Sequence, residues 1–257
     1  SGSAFADVLA EAQRLGYAEA DPTMDVGGFD AAHKITILAA LAFGGAPNFA
    51  AAEVEGIDRV ELLDIRLAGD LGYRVKLIAS AERAGEGARV QVRPFLVRKD
   101  HPIAQANGAL NALFIEGARI GRIYLQGPGA GAGPTAAAVA ADIADVMTGA
   151  VRPVFQAPAA ALRPCGPPEG AEASGRAYIR VMVRDEPGVL AAVSEELAEA
   201  GVSIESFLQK PPAEAAGVPI VLTTHAASET VLEAARSRIG RLPAVLEPPR
   251  LLHIAGI

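Results

Sequence analysis

Apolar residues fall three and four apart over residues 30–43 (DAAHKITILAALAF) and again over 134–147, a spacing that lines one side of a helix. Over 73–82 and 88–97 they alternate with polar residues, as in a half-buried strand. Extended along the chain, this reading predicts helices over 4–15, 30–43, 60–70 and 134–147, and strands over 73–82, 88–97, 109–115 and 119–125. The tetrapeptides AGEG and EGAR supply hairpin turns between the strands, and residues 16–28 read as a loop. After residue 176 the order becomes strand 177–183, helix 189–200, strands 203–209 and 219–225, helix 229–239 and strand 251–254, which is βαββαβ.

Residues 150–175 are rich in Pro, Ala and Gly and keep no period, so they read as a mobile linker. The expected organisation is a first domain over 1–149 and a second over 176–257. The fold class is α+β: a mixed β-sheet with helices packed on it, then a small ferredoxin-like module whose antiparallel four-stranded sheet carries both helices on a single face.

Composition narrows the functions. The formal charge of -7 excludes the basic stripe of a general nucleic-acid binder. Apolar runs such as 35–43 fall short of the roughly 20 residues that cross a bilayer, so no membrane partner is expected. A single cysteine, Cys165, excludes an internal disulfide framework, and the amino terminus shows no export signal; both fit the cytoplasm. Cys165 has only Arg163 as a basic neighbour, a poor setting for a nucleophile. His33, His101, His225 and His253 lack metal-ligand spacing, and no metal site is indicated.

The strongest chemical signal is acidic. Asp7, Glu11, Glu19, Asp21, Asp25 and Asp30 face Arg14 as the only base in the first thirty residues. Between Glu19 and Asp30 the sequence EADPTMDVGGFD combines Pro22 with Gly27 and Gly28, a backbone that can turn tightly and aim carboxylates inward at an ammonium. The same residues also allow a plainer reading, in which Asp30 caps the next helix and the other acids are solvated. Asp30 and Lys34 stand four apart, acid first, on one helical face. Because Ile35, Ile37, Leu38, Leu41 and Phe43 are apolar, much of this helix is expected to be buried, and Lys34 with it. A buried lysine beside a carboxylate can give or take a proton.

The stretch LAEAQRLGYAEADPTMDVGGFDAAHKITILAALAFG resembles the central signature of the homoserine dehydrogenases, with every acid in register. The resemblance continues through HPIAQANGALNALFIEG and GPGAGAGPTAAAVAADI. It implies that Glu19 and Asp25 hold the amino end of L-homoserine and that Asp30 and Lys34 serve the hydroxyl-to-carbonyl chemistry. L-homoserine and L-aspartate 4-semialdehyde are then the reactant pair, with NAD or NADP as cofactor, in the branch of amino-acid biosynthesis that leads to threonine, methionine and isoleucine. The glycine loop 127–135 misses the G-x-G-x-x-G spacing in every register, and a tight turn entering a helix explains its glycines. By resemblance the loop lies near the nicotinamide, which makes Gly131 a cofactor contact. Homoserine dehydrogenases carry a Rossmann domain ahead of this region, and no segment of this chain reads as one, so the chain by itself is expected not to turn over.

The segment RAYIRVMVRDEPGVLAAVSEELAEAGVSIESFLQK resembles an ACT domain, an amino-acid-sensing module. Its DEPGVL turn makes Asp185, Gly188, Val189 and Leu190 the candidate regulatory contacts, with threonine as the candidate effector of feedback control. A plain turn with a helix cap satisfies the same motif. Pairing of exposed sheet edges predicts a homodimer or homotetramer. The alternative to the enzyme is a non-catalytic, amino-acid-binding, oligomerising regulator, which would need the acids but not the Asp30–Lys34 pair.

Overall fold

The computed structural model describes residues 5–15, 20–85, 87–108, 110–150, 154–155, 157–166, 172–210 and 217–257. Among them no helix is long and apolar enough to cross a membrane. The chain forms two compact units that do not follow chain order. The first comprises Ser1–Leu62, Leu77–Arg93 and Lys99–Glu169, and the second Leu63–Lys76, Pro94–Arg98 and Gly170–Ile257.

In the first unit α1 (Phe5–Arg14) precedes a short α2 (Thr23–Val26) and the longer α3 (Phe29–Phe43). The predicted loop over 16–28 thus contains one helical turn. Asp21 starts that turn: its carboxylate accepts hydrogen bonds from the Thr23 hydroxyl at 2.6 Å and the Thr23 N–H at 3.1 Å. Gly28 adopts φ 79 at the head of α3, and a Cβ there would lie 3.0 Å from Val92 Cγ1. Glycine therefore satisfies both the left-handed backbone and the close approach.

The inner face of α3 is Ala32, Ile35, Thr36, Ala39 and Ala40. Ala32, Ile35 and Ala39 share a core with Ala88, Val90 and Val92 of β3 (Gly87–Arg98) and with Cys165. The short β1 (Glu53–Val54) runs parallel to β3 through Glu53↔Gln91 and Val54↔Val92. The small side chains of Ala32, Ala39 and Ala40 on this face let the helix approach the strand closely. The cost is that the larger apolar side chains Ile37, Leu38 and Leu41 point outward, each 40% or more exposed. The expected burial of most of this helix does not hold among the described residues.

The first unit also holds the antiparallel hairpin β4 (Leu110–Gly117) and β5 (Gly121–Pro128), closed at Gly117↔Gly121, and α5 (Ala132–Thr148). Before the hairpin, His101 opens a 3-10 turn, its Nδ1 accepting from the Ile103 N–H at 3.3 Å. Its ring meets Phe114 edge-on at 4.9 Å, and burial, followed by the nearby Arg122, lowers its pKa below the ordinary imidazole value.

The strands β2 (Tyr73–Ala84) and β3 pair, and each gives a stretch to either unit. In the second unit the sheet runs β9 (Arg250–Ile254), β6 (Ser174–Val183), β8 (Val218–Thr224), β7 (Ile204–Gln209), with every one of these neighbours antiparallel. With α6 (Val189–Glu199) and α7 (Glu229–Ile239) this is the ferredoxin-like arrangement that the element order predicts. Both helices share one core: Val193 and Leu197 of α6, and Leu232, Ala235 and Ile239 of α7, pack with Ile179, Val181, Ile220 and Leu222.

The other face of this sheet is also dry. Tyr178, Val221, Leu252 and Ile254 pack with Tyr73, Leu96 and the Leu67–Ala68 pair of α4 (Leu62–Asp70). Beneath them Arg180 and Asp64, whose side chains are each 1% exposed, form an ion pair at 2.7 Å. Tyr178 donates to the same Asp64 oxygen at 3.1 Å, and Glu247 accepts from Arg180 at 2.8 Å. Buried charges are tolerable only when so paired and hydrogen-bonded. Nothing in the βαββαβ pattern of 176–257 announces that residues 63–76 and 94–98 belong to this unit, because the contacts are long-range.

Candidate functional site

Of the four residues expected to handle substrate, the structure brings Asp30 and Lys34 together. Asp30 lies in the first turn of α3, where the N-terminal end of the helix dipole favours an anion, and Lys34 lies one turn later. Lys34 Nζ donates to Asp30 Oδ2 at 2.7 Å. The lysine side chain is 60% exposed and the aspartate 47%, so the expected burial of Lys34 is not found. A pair so open to water stabilises the fold by about 0.3–0.5 kcal/mol at most. Its value lies in geometry: the acid fixes where the ammonium sits.

Asp25 stands exposed in α2, and its backbone carbonyl accepts the Gly28 N–H at 3.2 Å, which folds the acid-bearing turn against the start of α3. Glu19 lies outside the described residues. Asp21, another acid of the cluster, is committed to Thr23, whose hydroxyl and then backbone N–H hold its carboxyl below the usual carboxylate range. Among the described acids of the loop, Asp21 is thus structural, Asp30 pairs with Lys34 and Asp25 is exposed, a division that composition could not make. His33, beside Lys34, stacks on Phe49 with ring centroids 4.1 Å apart and 9° between planes. This packing contact gives His33 a surface role.

At the end of β5, Gly131 caps α5 with φ 115. The helix begins at Ala132, two residues before the predicted start, and Pro134 sits in its first turn. Pro134 has no N–H, and the Thr135 N–H bonds to Gly131 O at 3.2 Å. The loop can touch a ligand through backbone atoms. A Cβ at Gly129 would overlap the Asn111 side chain, so glycine there is a matter of space. That requirement was not visible in the glycine spacing.

In the second unit Gly188 adopts φ 89 at the head of α6, and Asp185 and Gly188 are exposed. Val189 is buried in the core, and Leu190 packs against that core. Asp185 and Gly188 thus face solvent while the next two side chains anchor the helix. Among the described residues no group of three or more His, Cys, Asp or Glu is placed to hold a metal.

Comparison with known proteins bears on this arrangement. A family model for homoserine dehydrogenase matches residues 1–144, more than half of the chain, and a model for the ACT domain matches residues 177–244. The chain belongs to the homoserine dehydrogenase family. It is 42% identical over 256 residues to the homoserine dehydrogenase of Pseudomonas aeruginosa, covering 96% of this chain and 58% of that protein. It is 39% identical over 262 residues to that of Neisseria gonorrhoeae, covering 100% of this chain and 60% of the relative. Among solved structures, a homoserine dehydrogenase from Thiobacillus denitrificans superposes with a TM-score of 0.85 at 39% identity, covering 99% of this chain and 59% of that one. The chain thus spans about 60% of the length of the curated relatives it matches.

Proposed function

We propose that this chain is the substrate-binding and proton-transfer part of a homoserine dehydrogenase, joined to an ACT module that senses an amino acid. It would act in the interconversion of L-homoserine and L-aspartate 4-semialdehyde, in the biosynthetic branch that supplies threonine, methionine and isoleucine. The observation that carries the reading is the Asp30–Lys34 ion pair of 2.7 Å, set on the first turns of α3 inside the region that matches the family.

Oxidising an alcohol removes a hydride from carbon and a proton from oxygen. NAD or NADP accepts the hydride in this reading, and Gly131 is a backbone contact to the nicotinamide end. The proton is the part this chain handles. Lys34 relays it at the reacting oxygen, and Asp30 holds the ammonium and tunes it. Glu19 and Asp25 contact the substrate ammonium, which carries charge throughout. Apart from the rest of the enzyme the chain is inactive, because hydride transfer needs a positioned dinucleotide.

In the second module Asp185 and the backbone at Gly188, Val189 and Leu190 form the contact for an effector, with threonine the leading candidate. The outer strand β7 offers an edge for pairing into a homodimer or homotetramer. We assign the substrate domain to 1–149 and the regulatory domain to 176–257, joined by 150–175, in the cytoplasm.

The test is steady-state kinetics of the complete enzyme carrying Lys34→Met, at saturating dinucleotide. Turnover should fall while the Michaelis constant for homoserine changes little. Near-normal turnover would reduce Lys34 to a structural partner of Asp30. The second reading, a non-catalytic amino-acid-binding regulator, which the solvent exposure of the pair also suits, would be favoured instead if the complete protein with Lys34 in place showed no turnover of homoserine with either dinucleotide.

A further inference from the structure

The segment read from sequence as a mobile linker contains a stretch bonded into the first unit. Ala46 donates its N–H to Arg163 O at 2.7 Å, Cys165 donates to Ala46 O at 3.0 Å, and Ala88 donates to Gly166 O at 3.2 Å. Ala46 and Pro164 form a parallel bridge. Residues 163–166 are thereby held on one side by the chain leaving α3 and on the other by the start of β3.

Two glycines make room for them. Gly45, at φ 107, would place a Cβ 2.8 Å from Arg163 O, and a Cβ at Gly87 would overlap the Gly166 carbonyl. Cys165 is 6% exposed and packs in the core that contains Ala32, Ile35 and Ala39 of α3. The attachment has a weak point. A cavity of about 250 Å³ lies between Phe43, Gly44 and Gly45 on one side and Arg163, Pro164 and Cys165 on the other.

We propose that residues 163–166 are a releasable strap, anchored by the Cys165 side chain, that clamps the carboxy-terminal end of α3 and so steadies the helix whose first turns carry Asp30 and Lys34. Three backbone bonds and one small side chain beside a cavity make an attachment that opens locally, well below the cost of unfolding the unit. The strap leads by continuity of the chain into β6 of the ACT module. Its seating is a property of the fold and holds whether or not α3 serves homoserine.

Because the chain has one cysteine, thiol modification reads the strap directly. With an aromatic disulfide reagent on the whole chain, Cys165 should react at least about 10-fold slower than in the urea-unfolded chain. It should nevertheless react without global unfolding, judged by circular dichroism. A bulky adduct cannot reseat, so amide exchange over residues 36–43 should rise about 10-fold or more while that of α6 stays unchanged. Gly87→Ala should raise the thiol rate about 10-fold, and Gly133→Ala, which opens into free space, should not. Reaction as fast as in urea, or an adduct that leaves exchange in α3 unchanged, would overturn the proposal. If Gly87→Ala does not fold, the wild-type rate and exchange measurements still decide the matter.

Discussion

The two units bury apolar surface in different ways. In the second, β6 and β8 are covered on both faces, by α6 and α7 on one side and by α4, Tyr73 and Leu96 on the other, so large side chains such as Leu197, Ile220 and Ile239 are fully enclosed. In the first, the inner face of α3 is mostly alanine, while Ile37, Leu38 and Leu41 are exposed, as are Val139, Ile143, Val146 and Met147 of α5. The second unit is closed around its own core. The elements that carry the candidate chemistry keep an open face, and the protonic pair sits on it.

The comparison can be broken most sharply at the buried ion pair. Asp64→Leu takes from the buried Arg180 the carboxylate at its Nε while leaving the ion pair with Glu247, and should destabilise that unit by about 3–5 kcal/mol in urea unfolding. A loss below about 1 kcal/mol would mean that water reaches Arg180. Truncation of the core should come next: Leu197→Ala should cost about 2–5 kcal/mol, whereas Ile143→Ala on the open face of α5 should change stability by no more than about 0.5 kcal/mol. Equal costs at the two sites would erase the distinction drawn between the units.

The chemistry sharpens the comparison from the other side. Lys34→Met in the complete enzyme should lower turnover at least about 100-fold, in line with general acid–base contributions, while the fold, where the pair matters little, stays intact by circular dichroism. Asp30→Asn should follow with a smaller loss, since it leaves the lysine present but poorly held. Glu19→Gln should mainly raise the Michaelis constant for homoserine, because the ammonium it would contact keeps its charge in the transition state. A further effect is expected in the turn proposed as regulatory. Threonine at about 100 times its dissociation constant should raise the melting temperature of the second unit by an amount equivalent to about 2.7 kcal/mol, and Asp185→Ala should reduce that rise in part. No rise at saturating threonine would remove it as the effector.

Much of this architecture was legible along the chain. The helices α3, α6 and α7 and the strands of the second unit follow local periodicity and caps: Ser228 caps α7 by accepting the Val231 N–H, and Gly188 supplies the left-handed entry to α6. The acid-before-base spacing of Asp30 and Lys34 also produced the ion pair, because residues four apart on a helix are neighbours whatever surrounds them. What failed was the inference from apolar content to burial. Ile37, Leu38 and Leu41 looked like core residues, but which side of an apolar helix is buried depends on the partner, and here the alanine face meets β3.

The sequence by itself therefore determined the order of elements, the βαββαβ module and the presence of an acid–lysine pair, since these depend on residues close together in the chain. Only the tertiary structure decided that α4, the start of β2 and the end of β3 complete the second core, that Asp21 is a structural acid, and that Cys165 fastens residues 163–166 beside α3. Each of these rests on contacts between distant residues or on the exact room left beside a glycine, and neither is written in local pattern.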